Sequence, residues 1–174
     1  MRLAIKLLFI TFFGIHGLQA QLIDSENSKV SFEISNLGFN TVEGNFSGLK
    51  GELNLSKEQG ASRLSICLNP ATISTGIDKR DEHLKEEDFF WTSKYPEICF
   101  KGRKFKFLGE GRWEVEGILS IRDVSKPITI VLTKKGKMAT CDFSIKRKDY
   151  NVGNDFSSFT AGEEVKLMVS LSLK

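Results

Sequence analysis

The chain has 174 residues, 27% of them charged and 40% hydrophobic, with 25 basic against 22 acidic side chains. Met1–Ala20 reads as an export signal: Arg2 and Lys6 accompany an apolar run from Leu7 to Ile15 that ends in the small-residue site Leu18-Gln19-Ala20, too short a run to span a bilayer. Removing these 20 residues from 174 leaves one domain of 154, Gln21–Lys174, with 23 basic and 22 acidic residues and His83 as its only histidine. A net charge of +1 excludes the basic footprint of a nucleic-acid binder, and a single imidazole argues against His-rich metal sites.

Period-two alternation dominates the domain. Val30, Phe32 and Ile34 alternate with Lys29, Ser31, Glu33 and Ser35. The next apolar set is even at Val42, Gly44 and Phe46 but odd at Leu49, Leu53 and Leu55, with Gly48 at the change. Leu64, Ile66 and Leu68 form another inward set. Asp78–Phe90 breaks the alternation and reads as a short helix, with Thr75 or Asp78 as its cap and Asp81 and Lys85 at i,i+4. Tyr95-Pro96 ends that excursion.

Ile98 and Phe100 then give way to Phe105 and Phe107 across Gly102, a second parity slip that predicts a bulge. Alternation resumes at Trp113–Ile121, Ile128–Leu132, Ala139–Ile145 and Val165–Leu173. Between the last two sets, Lys148–Gly162 reads as a loop with Phe156 and Phe159 as lid residues. Long kinked strands without long helices predict an all-β fold, a closed antiparallel barrel of about eight strands with one short helix near its mouth. The basic clusters near Lys101, Lys134 and Lys146 read as solvated strand faces or turns.

Three cysteines allow one bridge and one spare thiol, and their spacings match no zinc or CxxC pattern. Cys67 and Cys99 sit on the polar parity of strands joined by the helical excursion, so they form a disulfide if those strands are antiparallel neighbours. Cys141 lies on the apolar parity and stays a thiol. Three buried unpaired thiols are the alternative.

Several blocks together resemble the YceI-like family of exported lipid- and polyisoprenoid-binding proteins, over roughly Ser28 to Leu173. They are Ser28-Lys29-Val30-Ser31-Phe32-Glu33-Ile34 with Leu37-Gly38-Phe39 and Val42–Phe46; Ile73-Ser74-Thr75-Gly76 with Arg80–Leu84 and Asp88-Phe89-Phe90; Tyr95–Phe100; Val115–Arg122 with Lys126-Pro127-Ile128; and Arg147-Lys148-Asp149-Tyr150. Asp123 and Asn151 stand where the family commonly has glycine. The resemblance implies a lipocalin-like barrel holding a long isoprenoid chain in the periplasm of a Gram-negative cell.

On that resemblance and the inward parities, the ligand-binding set is Phe32, Phe39, Phe46, Ile66, Leu68, Arg80, Asp81, His83, Phe89, Phe90, Phe100, Phe143, Arg147 and Tyr150. Arg80 or His83 would contact a polar head group; read structurally, Arg80, Asp81 and His83 instead pin the helix to the barrel. Phe89, Phe90 and Trp91 either plug one end or line a tunnel. Arg147 shares the parity of Phe143 and Ile145, so it points inward and needs an anionic partner: Asp81, another acid near the mouth or a ligand phosphate. No nucleophile carries a motif, so no enzyme activity, cofactor or metal is expected. The leading function is an exported soluble carrier or store of an isoprenoid lipid, of quinone or prenyl phosphate type, without stable membrane insertion. The alternative is an envelope interaction or stress protein with a filled barrel and a protein partner. Oligomeric state stays open, a homodimer included.

Overall fold

The computed structural model describes residues 21–58 and 60–174, so the export signal expected over Met1–Ala20 lies outside the described residues. Among the described residues the strands are β1 (Gln21–Leu22), β2 (Lys29–Asn36), β3 (Asn40–Phe46), β4 (Lys50–Asn54), β5 (Arg63–Leu68), β6 (Ile98–Gly109), β7 (Arg112–Ile121), β8 (Val124–Lys135), β9 (Met138–Lys146) and β10 (Ala161–Ser172). One helix, α1 (Asp78–Lys85), separates β5 from β6, and 3-10 turns occupy Pro70–Thr72 and Arg147–Tyr150. All the strands belong to one antiparallel sheet of order β1-β4-β5-β6-β7-β8-β9-β10-β2-β3. Antiparallel neighbours need only short turns, and alternation turns one face of each strand inward. Trp113, Val115, Leu119 and Ile121 on β7 are all buried.

The expected closed barrel of eight strands is corrected to a curled ten-stranded sheet. One of the two added strands is the short β1, and the other arises at Gly48, whose φ of 69° sits in the break Ser47–Leu49. A strand expected to bend there divides instead. Its first half, β3, pairs with β2, and its second half, β4, pairs with β5. Among the described residues no strand ladder joins the two edges. Single bridges, Ile23 with Leu173 and Asn45 with Ser74, tie the segments around the seam.

The slip at Gly102 behaves as its parity predicts. β6 stays one strand of 12 residues, and its register with β7 shifts between Gly102 and Lys104. On the inner face, a Cβ on Gly117 would lie 2.4 Å from Phe100 Cζ, and one on Gly44 2.4 Å from Phe32 Cζ. Bare backbone at these two positions gives each phenyl ring its place on the neighbouring strand.

α1 is shorter than Asp78–Phe90. It ends at Lys85, where Glu86 takes an extended conformation and donates its N–H to the His83 carbonyl. Neither Thr75 nor Asp78 caps it; the N-cap is Ile77, with no side-chain bond. Lys85 pairs with Glu82 at 2.7 Å rather than with Asp81, which is buried beneath the helix. No helix among the described residues is long and apolar enough to cross a membrane.

Candidate functional site

A cavity of about 340 Å³ lies inside the curl of the sheet. Side chains of β2, β3 and β5–β10 line it. Its floor is closed by Leu49, Leu132 and Leu171, which are fully buried and pack with Leu53 and Val115 in the same core. Above that floor the same inward parity gives a different result. Ile34, Ile66, Ile98, Phe100, Phe143, Ile145, Val165, Leu167 and Val169 point inward yet are only half-buried. A close-packed interior would cover them, so the curl is filled at one end and hollow at the other. Phe32, Phe46 and Phe90 form an aromatic wall, with successive ring centroids 5.6 Å apart.

Every polar lining side chain gathers at the end carrying α1: Ser35, Asn36, Thr75, Arg80, His83, Arg147, Tyr150 and Thr160. Among the described lining residues, Ser35, His83 and Thr160 are the exposed ones, so the mouth opens between β2, α1 and the start of β10. Arg80 donates from Nε to Thr75 Oγ1 at 2.7 Å and from Nη2 to the Thr75 carbonyl at 2.9 Å. Asp81 accepts from the Thr75 amide at 2.9 Å and from the Thr75 hydroxyl. Thr75 therefore joins a rim cation to a buried carboxylate that anchors the helix. His83 Nε2 lies 2.9 Å from Asp88 Oδ2, and its ring stands edge-on to Phe89 and Phe156. Among the described residues no carboxylate lines the cavity, and the polar groups at its mouth are guanidinium, imidazole, amide and hydroxyl.

Arg147 is inward and only 4% exposed, but its partners differ from those expected. Instead of an acid or a free cavity face, the guanidinium meets backbone carbonyls. Nε donates to Gly162, Nη1 to Val152 and Gly153, and Nη2 to Phe156 and Ala161. Burial lowers its pKa, and Glu163 works in the other direction. The side chain gathers the whole loop after the 3-10 turn and brings Phe156 against Phe89, centroids 4.7 Å apart. Asn151, at φ 56°, adopts the left-handed conformation in which glycine is most at ease and asparagine is tolerated. Arg122 donates to the carbonyls of Phe89 and Asn151 and so ties this loop to the turn after α1.

Of the expected site residues, Phe32, Phe46, Ile66, Leu68, Arg80, His83, Phe89, Phe90, Phe100, Phe143, Arg147 and Tyr150 line the cavity. Phe39 and Asp81 do not. Phe39 is 80% exposed in the turn between β2 and β3, where strand parity no longer directs side chains. Trp91 also leaves the tunnel: at φ 46° its ring turns outward to Tyr95, with Lys94 Nζ 3.9 Å from its centroid. The helix contributes Leu84, and the segment before it Ile73 and Thr75, which no strand alternation marks. Phe156, expected in a lid, packs over the opening; Phe159 points to solvent.

Behind the wall, Cys67 and Cys99 are register partners on β5 and β6, with Cα atoms 4.2 Å apart and their sulfurs bonded. Their neighbours Ile66, Leu68, Ile98 and Phe100 face the cavity, so the bridge lies on the outer face at the two feet of the excursion carrying α1. Cys141 is a buried thiol whose pKa is pushed up to about 12 by burial, with Asp142 adding to the shift.

This arrangement has relatives. The chain is 29% identical to a UPF0312 protein of Ectopseudomonas mendocina over 84% of its own length and 81% of the relative's. It is 28% identical to protein YceI of Escherichia coli O157:H7, over 85% and 82% of the two chains. Among solved structures, Burkholderia cenocepacia BcnA superposes with a TM-score of 0.77 at 21% identity, covering 86% of this chain and 98% of that one. A polyisoprenoid binding domain from Saccharophagus degradans, implicated in plant cell wall breakdown, superposes with a TM-score of 0.70 at 16% identity, covering 89% and 98%. The pattern of the YceI-like domain matches residues 22–173, and the chain belongs to that family.

Proposed function

We propose that this protein is an exported, non-enzymatic carrier or store for a long-chain isoprenoid lipid of the quinone or prenyl phosphate type. The observation that carries this reading is the half-buried inward ring above a packed leucine floor, an apolar cavity with one polar mouth. Its volume lies at the lower end of the ~300–1,000 Å³ usual for small-molecule sites, which suits one slender chain. Tail burial supplies the affinity, at ~25 cal/mol per Å² of apolar surface removed from water. Arg80 and His83 at the rim select among head groups. The Met1–Ala20 pattern supports export to the periplasm or beyond. The polyisoprenoid binding of the Saccharophagus degradans domain supports the ligand class.

Organic-solvent extraction of the purified protein, followed by mass spectrometry, should recover an isoprenoid. Stripped protein should then bind geranylgeraniol on titration. Protein that carries no isoprenoid and binds none on titration would overturn the proposal.

A further inference from the structure

Three apolar side chains stand in solvent beside the cavity mouth. Phe39 is 80% exposed, Phe159 63% and Leu37 40%. They come from two different segments, the β2–β3 turn and the loop before β10, yet they form one surface. β2 and β10 meet there, Asn36 opposite Ala161, and a Cβ on Gly38 would lie 3.1 Å from the Phe159 ring. The mouth adjoins them directly. Ser35 and Thr160, two of its exposed lining residues, lie two positions before Leu37 and one after Phe159.

The two segments that carry these side chains hold no charge of their own, unlike the α1 side of the mouth with Arg80 and His83. Residues 34–42 and 156–162 contain no ionisable side chain, in a chain that is 27% charged. Solubility alone would place lysine or glutamate at such turns, and exposed phenylalanines there cost solubility without adding to the core. Uncharged turns with protruding aromatic rings can enter a bilayer interface without desolvating an ion. It also touches the point at which an apolar chain would pass in or out.

From these observations we propose that Leu37, Phe39 and Phe159 form a docking surface that seats the cavity mouth on a lipid bilayer. The inference rests on the isoprenoid reading above, because the bilayer is where a long isoprenoid resides and an aqueous gap would expose its tail. Two phenylalanines and a leucine make a shallow, reversible contact that suits a shuttle. Since the two segments that make the contact lack lysine and arginine, it should depend little on anionic lipid.

The test is flotation of the purified exported protein with phosphatidylcholine vesicles, and with vesicles that also contain phosphatidylglycerol. Wild-type protein should float with both, to an extent that salt changes little. The double variant Phe39→Ser/Phe159→Ser should lose association at least about tenfold while its affinity for geranylgeraniol in solution is kept. Neither ring lines the cavity, so the two measurements are independent. Wild-type protein that binds geranylgeraniol but floats with neither vesicle would overturn the docking surface and leave the carrier function standing; that is the result a protein-facing rim would give. Undiminished flotation of the double variant would overturn it too. Failure of wild-type protein to bind geranylgeraniol would remove the carrier reading itself.

Discussion

Arg147 Nε donates to the Gly162 carbonyl at 2.9 Å, joining the end of β9 to the start of β10 across the whole intervening loop. The same guanidinium holds the carbonyls of Val152, Gly153, Phe156 and Ala161. An inward arginine expected to answer an anion is therefore a clasp for the loop that carries Phe156 over the mouth. Replacing it leaves several acceptors without donors, and unsatisfied buried groups cost more than the net value of the bonds. Arg147→Met should lose about 2–4 kcal/mol in urea unfolding. Amides of residues 151–162 should exchange faster, with β7 unchanged. Affinities for prenyl phosphates and neutral quinones should fall together; a selective loss of the phosphates would mean that Arg147 reads the head group.

Arg80 and Asp81 should separate in function although they share Thr75. Arg80→Gln removes a rim cation and should weaken a prenyl phosphate by about tenfold, the scale of one charge-assisted hydrogen bond, with neutral quinones little changed. Asp81→Ala removes the buried acceptor of the Thr75 amide and hydroxyl and should cost about 2–3 kcal/mol of stability. Titrating both ligand types against both variants checks the split. A stability loss in Arg80→Gln as large as in Asp81→Ala would assign both residues to the helix anchor.

The cavity wall should dominate affinity. Phe46→Asp or Phe100→Asp projects a carboxylate into the tunnel and should abolish binding of every isoprenoid tested. Gly117→Ala places a methyl on Phe100 and on the Lys101 carbonyl, and should cost about 1–3 kcal/mol by overpacking. Calorimetric binding and thermal unfolding check these. Retained binding in both Asp variants would move the ligand out of the curl.

Thiol counting in denaturant without reductant should find one free thiol per chain, Cys141, and three after reduction. Cys67→Ser should lower stability by about 3–4 kcal/mol, the loop-closure value for a bridge of this span, less any native strain. Three free thiols before reduction would remove the bridge.

Alkaline pH should weaken the fold through Cys141. Its folded pKa is raised from the ordinary 9.0 up to about 12, so the unfolded chain gives up the proton first. The contribution is whole below pH 9 and disappears between 9 and about 12, falling by about 1.4 kcal/mol per pH unit. Tyr150, raised by burial and by Asp149, acts in the same direction. Urea midpoints measured from pH 8 to 11 should decline more steeply in wild type than in Cys141→Ala. Equal slopes would locate the alkaline sensitivity elsewhere.

Local periodicity determined most of the sheet. Alternation at Val30–Ile34, Leu64–Leu68 and Trp113–Ile121 marked which faces point inward, because side chains on a strand take opposite sides in turn whatever the partner. It also placed Cys67 and Cys99 on one outer face and Arg147 on the inner one. Position in space was another matter. Whether the break at Gly48 bends one strand or separates two depends on which neighbours the halves find, β2 or β5, and no local pattern carries that choice. Whether Arg147 meets an acid or five carbonyls depends on the path of a loop far along the chain. Inward parity made the same statement for Leu171, which is fully buried, and Val169, which is half-buried beside the cavity. A void is a relation among side chains of eight strands, so only the tertiary structure decided where the curl is filled and where it is open.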